Sequence, residues 1–424
     1  MSHYKPYPAY KDSGVEWLGR VPEHWLPTSL SYLAEYINGY PFAPEQWSQE
    51  GLPIIRIAQL TGKPFDNYFD GKLPERVKVR DGDLLFSWSA TIDCFIWAQG
   101  DAWLNQHIFR VIPSSEVELQ YLYHLIRHVA PKLADFDAHG STMRHIKKES
   151  LKEKLFIPTV GEQTKISAHL DRETARIDAL IEKKTRFIEL LREKRQALIT
   201  HAVTKGLDPN VTMKDSGVEW LGKVPEHWDV LSFQRCVFIT EGQVDPEKSP
   251  YREMVLLAPN HIESGSGLLL YTETAEEQNA ESGKYLCQKG DVVYSKIRPA
   301  LRKVCIAPDL SLCSADMYPM RGHSGMSNQF LFWFLLSEPF SAFAVLEADR
   351  VAMPKINRES LNSVQLPRPP INEQMEIVAW VAQSTARLDN LRAKTERSIE
   401  LLKERRSALI TAAVTGQIDL REAV

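Results

Sequence analysis

The chain of 424 residues contains the same segments twice. The string KDSGVEWLGRVPEHW at 11–25 returns as KDSGVEWLGKVPEHW at 214–228, with a single Arg-to-Lys difference. A second pair of segments, 174–208 and 385–419, is identical at 21 of 35 positions. Chance does not produce such strings, and offsets of 203 and 211 residues are too long for a solenoid, whose repeats run about 20–50 residues. The chain is therefore a duplicated domain.

The copied segments flank two regions whose sequences have diverged. Each copy has a short leader, a variable body of about 130 residues and a long polar segment with periodic apolar residues. The two bodies share only short similar strings at corresponding places, such as Gly-Asp at 82–83 and 290–291. Turn-forming residues between the copies predict a linker at 206–213.

The composition is that of an ordinary globular chain, with 43% hydrophobic and 25% charged residues. The longest apolar run, 330–336, is far shorter than the ~20 residues that cross a bilayer, and the start lacks a secretory-signal pattern. Five cysteines without a CxxC pair argue against a disulfide framework and a structural zinc site. We therefore expect a soluble, cytoplasmic protein.

The segment 162–203 and its later copy predict two long helices, because both are rich in helix-forming residues. Each carries a heptad-like apolar stripe, which favours an antiparallel pair over two helices that pack only on their own bodies. Arg195 and Arg406 interrupt the stripes at equivalent positions, and we expect them to pair with Glu residues of the facing helix. The stripes comprise Ile177, Ile181, Ile188, Leu191, Leu198 and Ala202, and then Leu388, Ile399, Leu402, Leu409 and Ala413.

The tryptophans of the leaders are Trp17 and Trp25, repeated as Trp220 and Trp228. They either fasten the leader to the body or a neighbouring helix, or contact a partner. The sequence leaves both interpretations open.

Each body predicts a mixed α and β fold. The runs 83–89 and 291–297 follow turn residues and look like buried strands that open into loops, and LPIIRIAQL at 52–60 is also strand-like. Aromatic-rich runs at 120–126 and 329–336 predict equivalent core helices.

Basic and polar loops in the bodies are the candidates for nucleic-acid contact, since clustered Lys and Arg bind phosphates and polar side chains at loop tips read bases. The candidates in the first body are Ser87, Trp88, Gln106, His107, Arg144, Lys147 and Lys148. Those in the second body are Asn260, His261, Lys296, Arg298, Arg302, Lys303, Arg350 and Lys355.

No enzyme signature is present. The chain lacks GxGxxG, GxxxxGK[ST], HExxH and the Asn/Asp-Pro-Pro-aromatic string of adenine-N6 methyltransferases. Glu182-Lys183-Lys184 fits a nuclease-like Glu-x-Lys pattern only by letter, because it lies on a predicted solvated helix face. We therefore expect no catalytic residues and no metal ligands in this chain.

The plan of two diverged bodies and two copied helices resembles the specificity subunit of type I restriction-modification systems. The resemblance covers essentially the whole chain. It is carried by the leaders, by the junctions LFIPTVGEQTKI (155–166) and VQLPRPPINEQMEI (364–377), and by the helix ends ALITHAVTKGLD (197–208) and ALITAAVTGQID (408–419). The first junction departs from the family's usual form at 159–161.

The resemblance implies an α+β protein with a pseudo-twofold internal repeat, in which two α/β target-recognition domains are separated by two long antiparallel coiled-coil helices. The implied division is a first recognition domain at 1–160, a central helix at 161–205, a linker at 206–213, a second recognition domain at 214–371 and a C-terminal helix at 372–424.

The implied function is to read a split, asymmetric DNA site, one half-site per domain, without catalysis by this chain. The implied partners are double-stranded DNA, two methyltransferase subunits that use S-adenosylmethionine, and restriction subunits that use ATP and magnesium. The net charge of −4, and 17 basic against 19 acidic residues in 1–160, predict weak DNA binding by the chain alone.

Two other classes of function stay open from the residues alone. One is a coiled-coil scaffold whose bodies bind proteins, and the other is a DNA-modifying enzyme with an unrecognised site. The recognised DNA sequence and the spacer length are not encoded in any readable motif.

Overall fold

The computed structural model describes residues 4–137, 145–348 and 354–421, without the side chain of Phe136. Two compact units divide the chain: Met1–Lys183 with Ser398–Val424, and Lys184–Arg397. This division cuts across the boundaries expected from the sequence, because each long helix contributes one part to each unit.

The first unit consists of one body, the first part of the central helix and the end of the last helix. Its helices are α1 (Leu30–Leu33), α2 (Ile57–Leu60), α3 (Leu119–Asp137) and the beginning of α4 (Val160–Lys205). Its strands are β1 (Tyr10–Asp12), β2 (Arg20–Pro22), β3 (Leu26–Thr28), β4 (Ala34–Asn38), β5 (Leu52–Ile55), β6 (Tyr68–Phe69), β7 (Lys78–Val79), β8 (Leu84–Ser87), β9 (Asp93–Ile96), β10 (Ala102–Leu104), β11 (Ile108–Pro113) and β12 (Leu155–Ile157).

The second unit likewise consists of one body, the end of α4 and most of the last helix. Its helices are the end of α4, α5 (Asn328–Leu335), α6 (Glu338–Ala348), α7 (Arg358–Ser363) and most of α8 (Ile371–Val414). Its strands are β13 (Met213–Asp215), β14 (Lys223–Pro225), β15 (Asp229–Ser232), β16 (Val237–Ile239), β17 (Leu256–Leu257), β18 (Tyr285–Cys287), β19 (Val292–Ser295), β20 (Val304–Ile306), β21 (Ser311–Cys313), β22 (Met317–Gly322) and β23 (Gln365–Arg368).

The bodies keep one topology although their sequences have diverged. The central antiparallel sheet has the order β4-β11-β8-β9 in the first body and β16-β22-β19-β20 in the second. A second sheet contains one parallel pair in each body, β5 with β10 and β17 with β21. The strand expected at 52–60 is wrong beyond Ile55, because the chain turns there into α2.

The Gly-Asp pair occurs in both bodies because its aspartate has the same structural role in each. Asp83 immediately precedes β8 and accepts a hydrogen bond from Arg110 on the neighbouring strand β11 at 3.0 Å. Asp291 immediately precedes β19 and pairs with Arg321 on β22 at 2.8 Å. Each aspartate also accepts from a backbone N–H of its own turn, so one residue fixes both the turn and the strand pairing.

The two long helices pair antiparallel, which confirms the expected fold class. Within the first unit, Lys165 of α4 bonds to Arg421 and Asp178 of α4 bonds to Arg406. The residue numbers of the partners decrease as those of α4 increase, which is the order of an antiparallel pair. Apolar stripe residues are buried on both helices, among them Ile177, Leu191 and Leu409.

One Arg–Asp pair joins the helices in each unit. Arg406 Nε lies 3.0 Å from Asp178 Oδ1 in the first unit, and Arg195 Nε lies 3.2 Å from Asp389 Oδ1 in the second. The expectation of Glu partners is wrong. Each Arg interrupts the apolar seam, and the acceptor beside the seam is the short Asp that directly follows a stripe residue.

The junction motif Glu-Gln fastens the leader and the body to the start of each long helix. Glu162 accepts hydrogen bonds from Trp25 Nε1 at 3.3 Å and Tyr7 Oη at 2.7 Å, and its other oxygen lies 2.8 Å from His24 Nε2. Gln163 donates to the carbonyl of Pro158 and accepts from the N–H of Glu118 ahead of α3.

The second unit repeats this arrangement. Glu373 binds Trp228 Nε1 at 3.0 Å and His227 Nε2 at 2.7 Å, and Gln374 binds the segment ahead of α5. Trp25 and Trp228 are fully buried, which confirms that these tryptophans fasten the leaders.

Among the described residues, no single helix is long and apolar enough to cross a membrane. The bent pair of α5 and α6 would pass that test by length and composition together, and the residues of α5 from Phe330 to Leu335 are all buried in the second body.

Replacement of Glu162 by Ala should destabilise the protein more than the equivalent replacement of Glu373. Glu162 is buried and holds a tyrosine in addition to the leader Trp and His, and each unpaired buried polar group costs about 1–3 kcal/mol. Urea unfolding followed by tryptophan fluorescence measures the free energy of unfolding for both variants. Equal losses would contradict the role given to Tyr7.

Candidate nucleic-acid interface

Three segments of the first body meet at one end of its central sheet. The chain leaves β8 at 88–90, and Ile146 donates to the carbonyl of Trp88 at 2.9 Å. An isolated bridge joins Ser89 to His145, and β11 begins just after 105–107 at the same end. We call the segments 88–90, 105–107 and 145–148 the readout edge of the first body.

The second body builds the same edge. The chain leaves β19 at 296–298, and Ile356 donates to the carbonyl of Lys296 at 2.9 Å. A bridge joins Ile297 to Lys355, and Lys296 donates from its N–H to the carbonyl of Asp316. The segments 296–298, 314–316 and 354–358 form the readout edge of the second body.

The turn at each edge has the same backbone. Ala90 in the first body and Arg298 in the second both adopt a left-handed conformation, with φ values of 59° and 48°. Such values are uncommon outside glycine and are favoured at turns that must place side chains at a fixed angle. The two edges are therefore one scaffold that carries different side chains.

The first edge presents an amide and aromatic rings beside two exposed lysines. The Trp88 ring lies 5.6 Å from the His107 ring, and Gln106 Nε2 lies 3.4 Å from His107 Nε2. Gln106, His107, Lys147 and Lys148 are exposed. An exposed amide beside aromatic rings can read base edges by hydrogen bonds and apolar contact.

The second edge presents cations. Lys296, Arg298 and Lys355 have no carboxylate within 4 Å among residues 4–137, 145–348 and 354–421. Lys296 Nζ lies over the Tyr318 ring at 5.2 Å, a contact that leaves its charge intact. Unneutralised cations on one edge suit contact with phosphates.

Two of the predicted contacts are wrong. Ser87 and His261 have no exposed surface: Ser87 ends the buried strand β8, and His261 sits beneath the Tyr271 ring in a helical turn. Neither can touch a duplex from where it lies.

Of the other predicted residues, some bind groups within the second body and two lie outside the described residues. Arg302 pairs with Glu338 at 2.6 Å and Lys303 donates to the carbonyl of Pro259, so their charges serve the body itself. Asn260 is exposed and bonds to Tyr271. Arg144 and Arg350 lie outside the described residues.

Residues 22–190 match the family model described as "Type I restriction modification DNA specificity domain". The type I restriction enzyme EcoDI specificity subunit of Escherichia coli is 29% identical over 324 residues, which cover 73% of this chain and 72% of that protein. The EcoBI specificity subunit of Escherichia coli is 22% identical over 96% of this chain and 89% of its own length. The chain is therefore similar to the type I restriction-modification specificity subunits.

Solved structures agree on the fold. A chain from a type I restriction-modification system matches 93% of this chain and 98% of its own length, with a TM-score of 0.71 and 15% identity. The HsdS subunit from Thermoanaerobacter tengcongensis covers 94% of this chain and 98% of itself, with a TM-score of 0.51 and 16% identity.

The matched model is described by its DNA specificity, in agreement with the DNA-specificity role expected from the sequence. Within the described ranges, no group of three His, Cys, Asp or Glu side chains could hold a metal ion. All five cysteines are buried, and burial raises the pKa of the Cys236 thiol to about 11 and that of Cys305 to about 12. These thiols are therefore poor nucleophiles.

Sequence reasoning missed two sets of residues. It did not single out Asp316, which the strand pairing aligns with His107, because the bodies have too little sequence in common to align by eye. It also passed over exposed leucines on the long helices, Leu180 and Leu391, whose equivalence is visible once the two helices are aligned at the offset of 211.

Replacement of Lys296, Arg298 and Lys355 by Gln should weaken DNA binding and lower its salt dependence. Each phosphate contact contributes about 0.9 to the slope of log affinity against log salt, so the slope should fall by roughly 2–3. Fluorescence anisotropy with a labelled duplex at several salt concentrations measures it. Lys289→Gln, which removes a cation already paired with Asp309, is the matched control. An unchanged slope of log affinity against log salt in the triple variant would mean that these three residues do not contact the phosphates.

Proposed function

We propose that this specificity subunit reads a split, asymmetric DNA site, with one half-site bound by each readout edge. The observation that carries the proposal is the pair of edges built on one scaffold with different side chains. By strand register, Trp88 and His107 of the first body stand where Lys296 and Asp316 stand in the second. One frame with two chemistries supports two half-sites of different sequence.

We propose further that two methyltransferase subunits of its own system dock on the long helices. A duplicated frame offers two equivalent surfaces, and exposed apolar residues recur at equivalent positions. Leu180 and its counterpart Leu391 are both 41% exposed, and Leu190 and its counterpart Leu401 are 46% and 50% exposed. Each compact unit thus has one exposed leucine from each helix.

The groups around these leucines specify the chemistry of the partner. Ala386, Arg387, Leu391 and Lys394 line an open groove of about 640 Å³ on α8. The repeat preserves both cations, as Arg176 and Lys183 around Leu180. An apolar segment flanked by carboxylates fits such a surface, because it would bury the leucine and complement the cations.

The chemistry of the complex belongs to the partners in this proposal. The methyltransferase subunits bring S-adenosylmethionine and modify adenine, and restriction subunits bring ATP and magnesium for translocation and cleavage. Such a complex acts in the cytoplasm, where the DNA lies. The near balance of acids and bases in the chain supports a need for the methyltransferase to supply further phosphate contacts.

Methylation mapping in a host that expresses this chain with its methyltransferase subunit tests the recognition role. We expect adenine methylation at one split, asymmetric motif that disappears when the chain is deleted. Exchange of one body for that of another family member should alter one half-site only. Methylation that survives the deletion would favour a scaffold that binds other proteins.

Docking can be tested by charge insertion into one of the two surfaces. Leu190→Arg with Leu391→Arg should reduce the bound methyltransferase subunits from two to one, because the charges interrupt the apolar contact of the second unit alone. Native mass spectrometry counts the subunits. Leu310→Arg changes a leucine of similar exposure (47%) in a turn of the second body and should leave two subunits bound. Two subunits on the double variant would exclude this surface.

A further inference from the structure

An exposed carboxylate lies among the cations of the second readout edge. Asp316 immediately precedes β22, whose first residue Met317 pairs with Ser295 at the end of β19. Its carbonyl accepts from the N–H of Lys296 at 2.9 Å, and its own N–H donates to Ser314 Oγ at 3.2 Å. The backbone of this residue is therefore fixed at the edge while its side chain faces solvent.

The carboxylate of Asp316 has no ion-pair partner in the described part of the chain. Lys296, Arg298 and Lys355 share the edge with it, yet none has a nitrogen within 4 Å of a carboxylate oxygen. Most other acids near the central sheet are paired, as Asp291 is with Arg321. The charge of Asp316 reaches the Lys284 ammonium through space, where it opposes the lowering of the Lys284 pKa by burial, but within the described residues no cation forms a close ion pair with it.

The same structural position in the first body belongs to His107. It precedes Ile108, which pairs with Ser87 at the end of β8 as Met317 pairs with Ser295. An exposed imidazole and an exposed carboxylate thus occupy one place in the two bodies. A difference in hydrogen-bonding type at a shared position is what two different half-sites require.

A carboxylate at a DNA-facing edge has few possible partners. Phosphates repel it, and the ring nitrogens and carbonyl oxygens of bases are acceptors like itself. The donors in the major groove are the exocyclic amino groups of cytosine (N4) and adenine (N6), and carboxylates accept from cytosine N4 in known pairings. The repulsion by phosphates makes Asp316 unfavourable at this edge unless it gains such a contact.

We propose that Asp316 is a specificity-determining residue that accepts a hydrogen bond from an exocyclic amino group, with cytosine preferred over adenine, in the half-site of the second body. The inference rests on the proposed function, since it needs the edge to face the major groove. It predicts two effects that oppose each other. Removal of the carboxylate should strengthen binding to non-specific DNA and weaken discrimination at one base pair.

The experiment compares the wild-type chain, Asp316→Ala and Asp316→Asn, each assembled with its methyltransferase. Methylation mapping gives the motif, and anisotropy gives the affinities for specific and random duplexes. We expect Asp316→Ala to relax one base pair of one half-site and to lower the ratio of specific to non-specific affinity by roughly 5- to 150-fold, the range for one base contact. Asp316→Asn, which has the same shape, should raise non-specific affinity and alter preference at the same base pair.

Asp309→Asn is the matched control. Asp309 is exposed, pairs with Lys289, and lies beyond β20 at the opposite end of β19 from the readout edge. This variant should keep the wild-type motif.

The outcomes separate the inference from the function on which it rests. A wild-type motif in Asp316→Ala, or equal gains in specific and non-specific affinity, would overturn the role of Asp316 and leave the half-site model intact. Relaxation spread over both half-sites would also overturn it. Failure of the wild-type complex to methylate any defined motif would instead refute the proposed function.

Discussion

Reciprocal Arg–Asp pairs across the helix seam set the register on which the rest of the structure depends. In the first unit α4 contributes the aspartate and α8 the arginine, and in the second unit the roles are exchanged. Asp178 and Asp389 are equivalent in the repeat, as are Arg195 and Arg406, so both pairs are one interaction made twice. Arg195 is largely buried, and a shift of the seam by one heptad would separate this buried cation from the carboxylate of Asp389, which is unfavourable because its charge would then lack a counter-charge.

The same logic explains why the ends of the two copies are nearly identical while the middles differ. The leader Trp must reach the junction Glu, and the junction Gln must hold the segment ahead of the body helix. Gly416 in the first unit packs against Pro22 and Trp25 so closely that a side chain there would collide with the proline ring. The leader Trp and the junction Glu recur in both copies and bind each other in both units, whereas exposed edge residues such as His107 and Asp316 differ between the bodies.

Elements that rest on the internal repeat or on apolar periodicity could be predicted from the sequence. Side-chain partners and burial that depend on tertiary contacts could not. The long helices, the central strands and the core helices follow from apolar periodicity, and the family follows from the copied motifs. The choice of Asp over Glu at the seam depends on side-chain reach, which periodicity does not contain. Ser87 and His261 looked like loop residues beside strands, yet strand pairing and ring packing bury them. Asp316 and His107 became equivalent only when strand register replaced sequence alignment.

The long helices make specific side-chain contacts with the second body. In the second unit Arg195 also donates to the carbonyls of Gly265 and Ser266, at the tip of a loop of the second body. Arg392 reaches Glu263 at the base of the same loop at 3.2 Å. The counterpart of Arg392 in the first copy is Ile181, which cannot form an ion pair. The second body therefore forms an ion pair with its helix that Ile181 cannot reproduce in the first copy, so the two bodies are held on the duplicated helices by different contacts.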